Sequence, residues 1–331
     1  MPKHASAEQV LASADLSIAV AIPCLNEAAT IASVVDDFHA ALTGARVYVY
    51  DNASTDDTFD VAAAAGAIVR REPERGKGNV VRRAFGDLDA DVVVLVDGDG
   101  TYPAHEARRM VATLVEDRLD MVVGARLPVQ ETAFPRGHRL GNRLITAVVG
   151  AMFGRRFRDT LSGYRVLSRR FAKSFPAQTG GFEVETEMTV HALATGMPAT
   201  ELEVAYAGRP AGSRSKLRTV PDGIAIARTI MVLVKEEKPL AFFALVGGVL
   251  ELAAGALAWP LLPEYLETGL VPRLPTAVLS TGLALLGALS FACGLVLDTV
   301  TRGRRESRRL HYLALPTPPE ASRPPGQVPR A

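Results

Sequence analysis

Residues 92–99 read Val92-Val93-Val94-Leu95-Val96-Asp97-Gly98-Asp99. An uninterrupted β-branched run closed by polar residues marks a strand buried on both faces. Helices must then cover both faces, and the flanking sequence supplies them. Residues 18–22, 47–50, 67–69 and 121–123 read as further apolar strands, and residues 28–42, 56–65 and 77–85 carry helical patterns between them. Strands alternating with helices predict an α/β fold built on a doubly wound, mostly parallel sheet.

Such a sheet binds ligands beyond the carboxyl ends of its strands. The first predicted strand is followed by Pro23-Cys24-Leu25-Asn26-Glu27, the second by Asp51-Asn52-Ala53-Ser54, the long buried one by Asp97-Gly98-Asp99 and the next by Gly124-Ala125-Arg126. Three of these ends are acidic and the fourth brings an arginine. Asp97 and Asp99, one residue apart, can share a hard cation such as Mg²⁺ or Mn²⁺. Asp51 with Ser54 reads as a turn that starts the next helix, or as a carboxylate gripping a nucleobase or ribose, and the two roles are compatible. Gly76 and Lys77 stand just before a helix, where an anion such as a diphosphate is favoured.

The chain has 331 residues, 48% of them apolar, and a net charge of +1 that offers no global field for nucleic acid. Mean hydropathy is +0.15, and the excess concentrates after Leu240. Residues 240–262 contain a single charge, Glu251, and residues 277–297 contain none. Each stretch can cross a hydrocarbon core of ~30 Å as a helix. The link between them carries Glu264, Glu267 and Arg273, whereas Lys235 and Lys238 precede the hairpin and Arg302, Arg304, Arg305, Arg308 and Arg309 follow it. The positive-inside rule then places the catalytic domain and the tail in the cytoplasm. Two isolated cysteines, Cys24 and Cys293, fit a reducing compartment for the globular part. The expected organisation is a flexible arm (1–16), a catalytic domain (17–216), an amphipathic helix (217–238), a two-helix membrane hairpin (239–300) and a basic, proline-rich tail (301–331). Gly247, Gly248, Gly282 and Gly287 would allow close helix contacts, so a homo-oligomer through the spans is left open.

The ordered motifs resemble family 2 glycosyltransferases with the A-type nucleotide-sugar fold (GT-A), in the branch of dolichol-phosphate mannose synthases and bacterial polyprenyl-phosphate glycosyltransferases. They are Ile22-Pro23-x-x-Asn26-Glu27, Asp51-Asn52-x-Ser54-x-Asp56, Gly76-Lys77-Gly78, Asp97-x-Asp99 followed by Pro103, Gly124-x-Arg126, Asp159-Thr160-x-Ser162-Gly163-Tyr164-Arg165, Phe182-Glu183-x-Glu185 and Ser215-Lys216-Leu217. The resemblance implies that Pro23, Glu27 and Asp51, with Asn26 and Ser54 in the same motifs, hold a nucleoside. It places Asp97 near the donor, makes Asp99 the principal metal ligand and turns Arg126 toward the phosphates. Thr101 stands where mannose synthases of this branch carry a glutamine ligand; a hydroxyl is a poorer ligand, which leaves that position to water.

The expected reaction is inverting transfer of a hexose from a UDP- or GDP-sugar onto a polyprenyl phosphate. Basic groups for the acceptor phosphate are Arg139, Arg165, Arg209, Arg214 and Lys216. Leu217, Val220, Ile224, Ala227, Met231 and Val234 recur at helical spacing and suit either the membrane interface or the domain core. A phosphate acceptor is already anionic near neutral pH and needs no strong general base. Asp159 and Glu185 are therefore read as groups that orient arginines or sugar hydroxyls. A soluble or polysaccharide acceptor and a non-catalytic nucleotide-sugar-binding module are the competing readings. Two spans and the lack of a Gln-x-x-Arg-Trp motif speak against a processive synthase.

Overall fold

The computed structural model describes residues 16–128, 136–154, 157–181, 183–207, 228 and 231–318. The chain divides into two units, residues 1–223 with 308–331, and residues 224–307.

The first unit is built on seven strands: β1 (Ile18–Cys24), β2 (Arg46–Asp51), β3 (Ile68–Arg71), β4 (Val92–Leu95), β5 (Met121–Pro128), β6 (Arg165–Ser168) and β7 (Ala199–Tyr206), in the order β3-β2-β1-β4-β6-β5-β7. All pairings are parallel except those of β6, which runs against both β4 and β5. As the apolar run predicts, β4 is buried along its whole length. Val92, Val94 and Val96 enter one core with helices α1 (Ile31–Ala41) and α4 (Glu106–Glu116). Val93 and Leu95 enter the opposite core with α3 (Lys77–Asp87), α6 (Arg169–Ser174) and α7 (Val184–Thr195). Full burial of each such side chain contributes ~1.5–3 kcal/mol, so this one strand anchors both layers.

Helix boundaries shift where loops claim the backbone. α1 starts at Ile31 rather than at Ala28. The Glu27 and Ala28 amides donate instead to Thr58 Oγ1 (2.8 Å) and Asp56 Oδ2 (3.2 Å), which ties this turn to the start of α2 (Thr58–Ala64). α5 (Arg136–Phe153) completes the set.

The second unit holds α8 (Pro239–Ala258), α9 (Leu261–Thr268) and most of α10 (Leu274–Ala314). α8 and α10 are long and apolar enough to cross a membrane, and only 11% of their most apolar stretches is buried within the protein. α10 continues to Ala314, through residues expected to form the tail. The segment after Val300 is rich in helix formers, and the first proline after the span is Pro316.

The last turns of α10, from Arg308 onward, belong to the first unit. Tyr312 is buried in its core, and its hydroxyl donates to Asp120 Oδ2 (2.7 Å). Asp120 is fully buried and also accepts from Ser168 Oγ (2.6 Å) and from two nitrogens of Arg170. The Arg309 guanidinium donates to the Thr195 carbonyl. We expect Tyr312→Ala, which leaves a cavity, to cost about 3 kcal/mol or more, and Tyr312→Phe, which removes only the hydroxyl, about 1 kcal/mol. Thermal unfolding of the detergent-solubilised chain should rank wild type above Phe above Ala; equal midpoints would contradict the docking.

Candidate active site

The carboxyl ends of β1, β2, β4 and β5 lie along one edge of the sheet. Because β6 runs the other way, its start rather than its end reaches that edge, bringing residues 159–164 to the same place.

At the β1 and β2 ends, side chains knit the loops together. The Asn26 amide donates to Ser54 Oγ (2.9 Å), and Asn26 Oδ1 accepts from the Thr55 amide (2.7 Å). Asp51 is buried and its Oδ1 accepts from the Ser54 amide (3.3 Å), which is the turn expected of that pair. Asn26 and Ala53 hold left-handed backbones, at φ 53° and 57°, a conformation that costs energy and is retained where surrounding contacts fix it. Asn52, to which the motif reading gave no role, clips the next loop. Its Nδ2 donates to the carbonyls of Glu72 (3.1 Å) and Glu74 (2.7 Å), and its Oδ1 accepts from the Gly76 amide (2.7 Å).

Lys77 opens α3 and is buried with its ammonium between two carboxylates, paired with Asp97 Oδ1 and with Glu185 Oε1 (2.6 Å). Burial on its own pulls this lysine down, but Asp97 and Glu185 outweigh it and hold the ammonium well above its ordinary range. Glu185 is pushed up by burial, against the pull of Lys77. Its second oxygen, Oε2, is buried with no hydrogen-bond partner among the described residues. The triad is assembled by close backbone approach. A side chain on Gly76 or Gly78 would strike the carbonyls of Gly180 or Thr179, and one on Gly163 would strike the Asp97 carboxylate and the Lys77 ammonium. Glu187 fixes that facing loop by accepting from the amides of Gln178 (2.8 Å) and Thr179 (3.0 Å).

Asp99 is buried, and its Oδ1 accepts from the hydroxyl (2.6 Å) and the amide (3.2 Å) of Thr101. Thr101 thus acts here as a holder of the carboxylate. Arg126 and Asp159 form a two-pronged ion pair, Nε to Oδ2 at 2.7 Å and Nη2 to Oδ1 at 2.8 Å. Burial pulls the Arg126 guanidinium down, but Tyr102, Asp159 and Tyr206 outweigh this and raise it. Tyr102, pushed up by burial, sits 3.4 Å from Ser162 Oγ and accepts from the Gly163 amide (3.2 Å).

Arg165 leaves the expected acceptor set. It is fully buried, with Nε on the Ser162 carbonyl (3.0 Å), Nη2 on the Thr160 carbonyl (2.9 Å) and Nη1 on Thr189 Oγ1 (3.0 Å). These bonds make it a brace for the 159–164 loop. Pro23 and Glu27 lie on the edge as expected, at the end of β1 and in the turn after it. The side chain of Arg139, on α5, and the residues Arg209, Arg214 and Lys216 lie outside the described residues, as does most of the expected 217–238 helix.

No cluster of three or more His, Cys, Asp or Glu gathers among the described residues. Among the described residues, the candidates for holding a divalent ion are the two carboxylates that follow β4, Asp97 and Asp99. Hard oxygens in that number suit Mg²⁺ or Mn²⁺ in a site completed by substrate phosphates and water.

The sheet and its flanking helices form a fold of the GT-A glycosyltransferase type. Residues 19–175 match the family described as glycosyl transferase family 2. Glycosyltransferase AglJ of Haloferax volcanii is 33% identical over 295 residues, 88% of this chain and 96% of its own. A dolichyl-phosphate hexose transferase of the same organism is 28% identical over 221 residues, 67% of this chain and 95% of its own. Glucosyl-3-phosphoglycerate synthase from Mycobacterium tuberculosis, crystallised with Mn²⁺, UDP-glucose and phosphoglyceric acid, superposes with a TM-score of 0.56 at 25% identity, covering 71% of this chain and 85% of that one. The chain belongs to glycosyl transferase family 2.

Gly163→Ala introduces one methyl group that cannot coexist with the observed Asp97–Lys77 pair. The expected outcome is a loss of transferase activity of about a hundredfold or more, with the variant still folded by circular dichroism. Wild-type turnover would show that the triad's geometry is dispensable.

Proposed function

We propose that this enzyme transfers a hexose, with inversion, from a UDP- or GDP-sugar to a polyprenyl phosphate at the cytoplasmic face of a membrane. The observation that carries the reading is the union, in one chain, of the Asp97/Asp99 edge with two exposed apolar helices of spanning length. The dolichyl-phosphate hexose transferase of H. volcanii supports a lipid phosphate as acceptor. The packing of Tyr312 against Asp120 supports a tail on the same side of the membrane as the catalytic unit.

In this reading Pro23, Asn26, Glu27, Asp51 and Ser54 hold the nucleoside, while Gly76 and Lys77, whose amide and ammonium are taken by Asn52, Asp97 and Glu185, shape the donor edge instead of facing the diphosphate. Asp99 and Asp97 hold a divalent ion, which when bound stabilises charge on the leaving diphosphate. Asp159 aims Arg126 at the phosphates. The acceptor phosphate arrives as its own nucleophile, so the residues align it and screen its charge without removing a proton. Arg139, Arg209, Arg214 and Lys216 are the proposed screen.

Asp99→Ala should abolish label transfer from nucleotide sugar to an organic-extractable lipid while leaving the chain folded and inserted. Arg209→Ala and Lys216→Ala should raise the KM for polyprenyl phosphate about tenfold and leave that for the nucleotide sugar within about twofold. Transfer by Asp99→Ala at the wild-type rate would refute the metal assignment; unchanged lipid dependence in both basic variants would remove the acceptor site.

A further inference from the structure

Among the described residues, β7 pairs only with β5 and closes one side of the sheet. Its register sets Glu201 opposite Val123 and Val204 opposite Arg126. β7 reaches the Arg126–Asp159 pair at two points. At its end, the Tyr206 ring lies against the Arg126 guanidinium, with 5.6 Å between the ring centre and Cζ. Near its start, the Glu201 carboxylate takes the main chain of the turn that carries Asp159. Glu201 Oε1 accepts from the amides of Arg158 (3.1 Å) and Asp159 (2.8 Å), and Oε2 accepts from that of Arg158 (2.9 Å).

Asp159 is thus held from both sides. Glu201 fixes its main chain. Its carboxylate accepts from the Arg126 amide (3.2 Å), from two nitrogens of the Arg126 guanidinium and from the Leu161 amide (3.3 Å). A carboxylate at position 201 works against its surroundings. Burial raises the Glu201 carboxyl, the amides of Arg158 and Asp159 pull it down, and the Asp159 charge raises it again. A second carboxylate beside one that already serves Arg126 is unfavourable by itself. What it gains is grip, because a charged acceptor holds an amide about twice as strongly as a neutral one. We infer that Glu201 is a positioning residue for the sugar donor: it anchors the Asp159 backbone, so that the two-pronged grip holds the Arg126 guanidinium where it meets the donor phosphates. This rests on the reading above that Arg126 faces those phosphates. Glu203, two residues along β7, supplies a contrast. Its carboxylate meets the Arg158 guanidinium (3.3 Å) at the exposed surface and not the amides of the turn.

The test is the affinity of the full chain in detergent for UDP and for GDP, each with Mn²⁺, measured by calorimetry. For the nucleotide that the wild type binds, Glu201→Ala should weaken affinity about tenfold. Glu201→Gln keeps an oxygen for both amides and loses the charge, so its affinity should fall between the two. Glu203→Gln removes the same charge two residues away and should match the wild type. In an Arg126→Ala background, Glu201→Ala should cost less than about twofold more, because the anchor then has no guanidinium to position. Wild-type affinity in Glu201→Gln and in a folded Glu201→Ala overturns the inference. So does a tenfold loss that persists in full in the Arg126→Ala background, which would make Glu201 a general prop of the fold. Two results would instead strike the reading beneath it: a wild type that binds neither nucleotide, or an Arg126→Ala chain that binds as the wild type does.

Discussion

The buried ammonium of Lys77 is the constraint on which the site depends. It joins the start of α3, the end of β4 and the start of α7 by pairing with Asp97 and Glu185. Three charges under so little water are tolerable only together: removing one partner of a buried pair typically costs ~3–5 kcal/mol. Their meeting needs backbone to pass backbone at Gly76 and Gly78, and backbone to lie against the Asp97 and Lys77 head groups at Gly163. Asp97 is thereby held in place by the protein's own charge, and Asp99 beside it is held by Thr101.

Across the edge the same logic recurs with the signs exchanged. Asp159 grips the Arg126 guanidinium through two bonds. Arg165, beneath the loop that carries Asp159, spends its donors on that loop's carbonyls. The edge thus presents carboxylates at one end and a carboxylate-held arginine at the other, both fixed by the protein's own partners. Electrostatic preorganisation of this kind is what the proposed displacement would use.

Much of this was legible in the sequence because burial and chemistry coincide in it. The run from Val92 to Val96 could only be a doubly covered strand, and the polar residues after each strand had to share an edge. What stayed hidden was partnership across long separations. Nothing local links Arg126 to Asp159 or Lys77 to Glu185. β6 is four residues long and runs straight into α6, too short for its pattern to stand out. Arg165 was assigned to a phosphate because composition reports charge and not depth. The continuation of α10 was missed because a change from apolar to basic residues ends a membrane span without ending a helix. Asp120 and Tyr312, 192 positions apart, carried no signal of their meeting.

The central claim is that the protein's own charges preassemble the donor edge, with Lys77 at its centre. Calorimetric titration of the donor nucleotide sugar with Mn²⁺ into wild-type chain and Lys77→Met tests it most directly. A fall in affinity of about tenfold or more, equivalent to ~1.4 kcal/mol, is predicted for the variant. Equal affinities in a folded Lys77→Met chain would contradict the account.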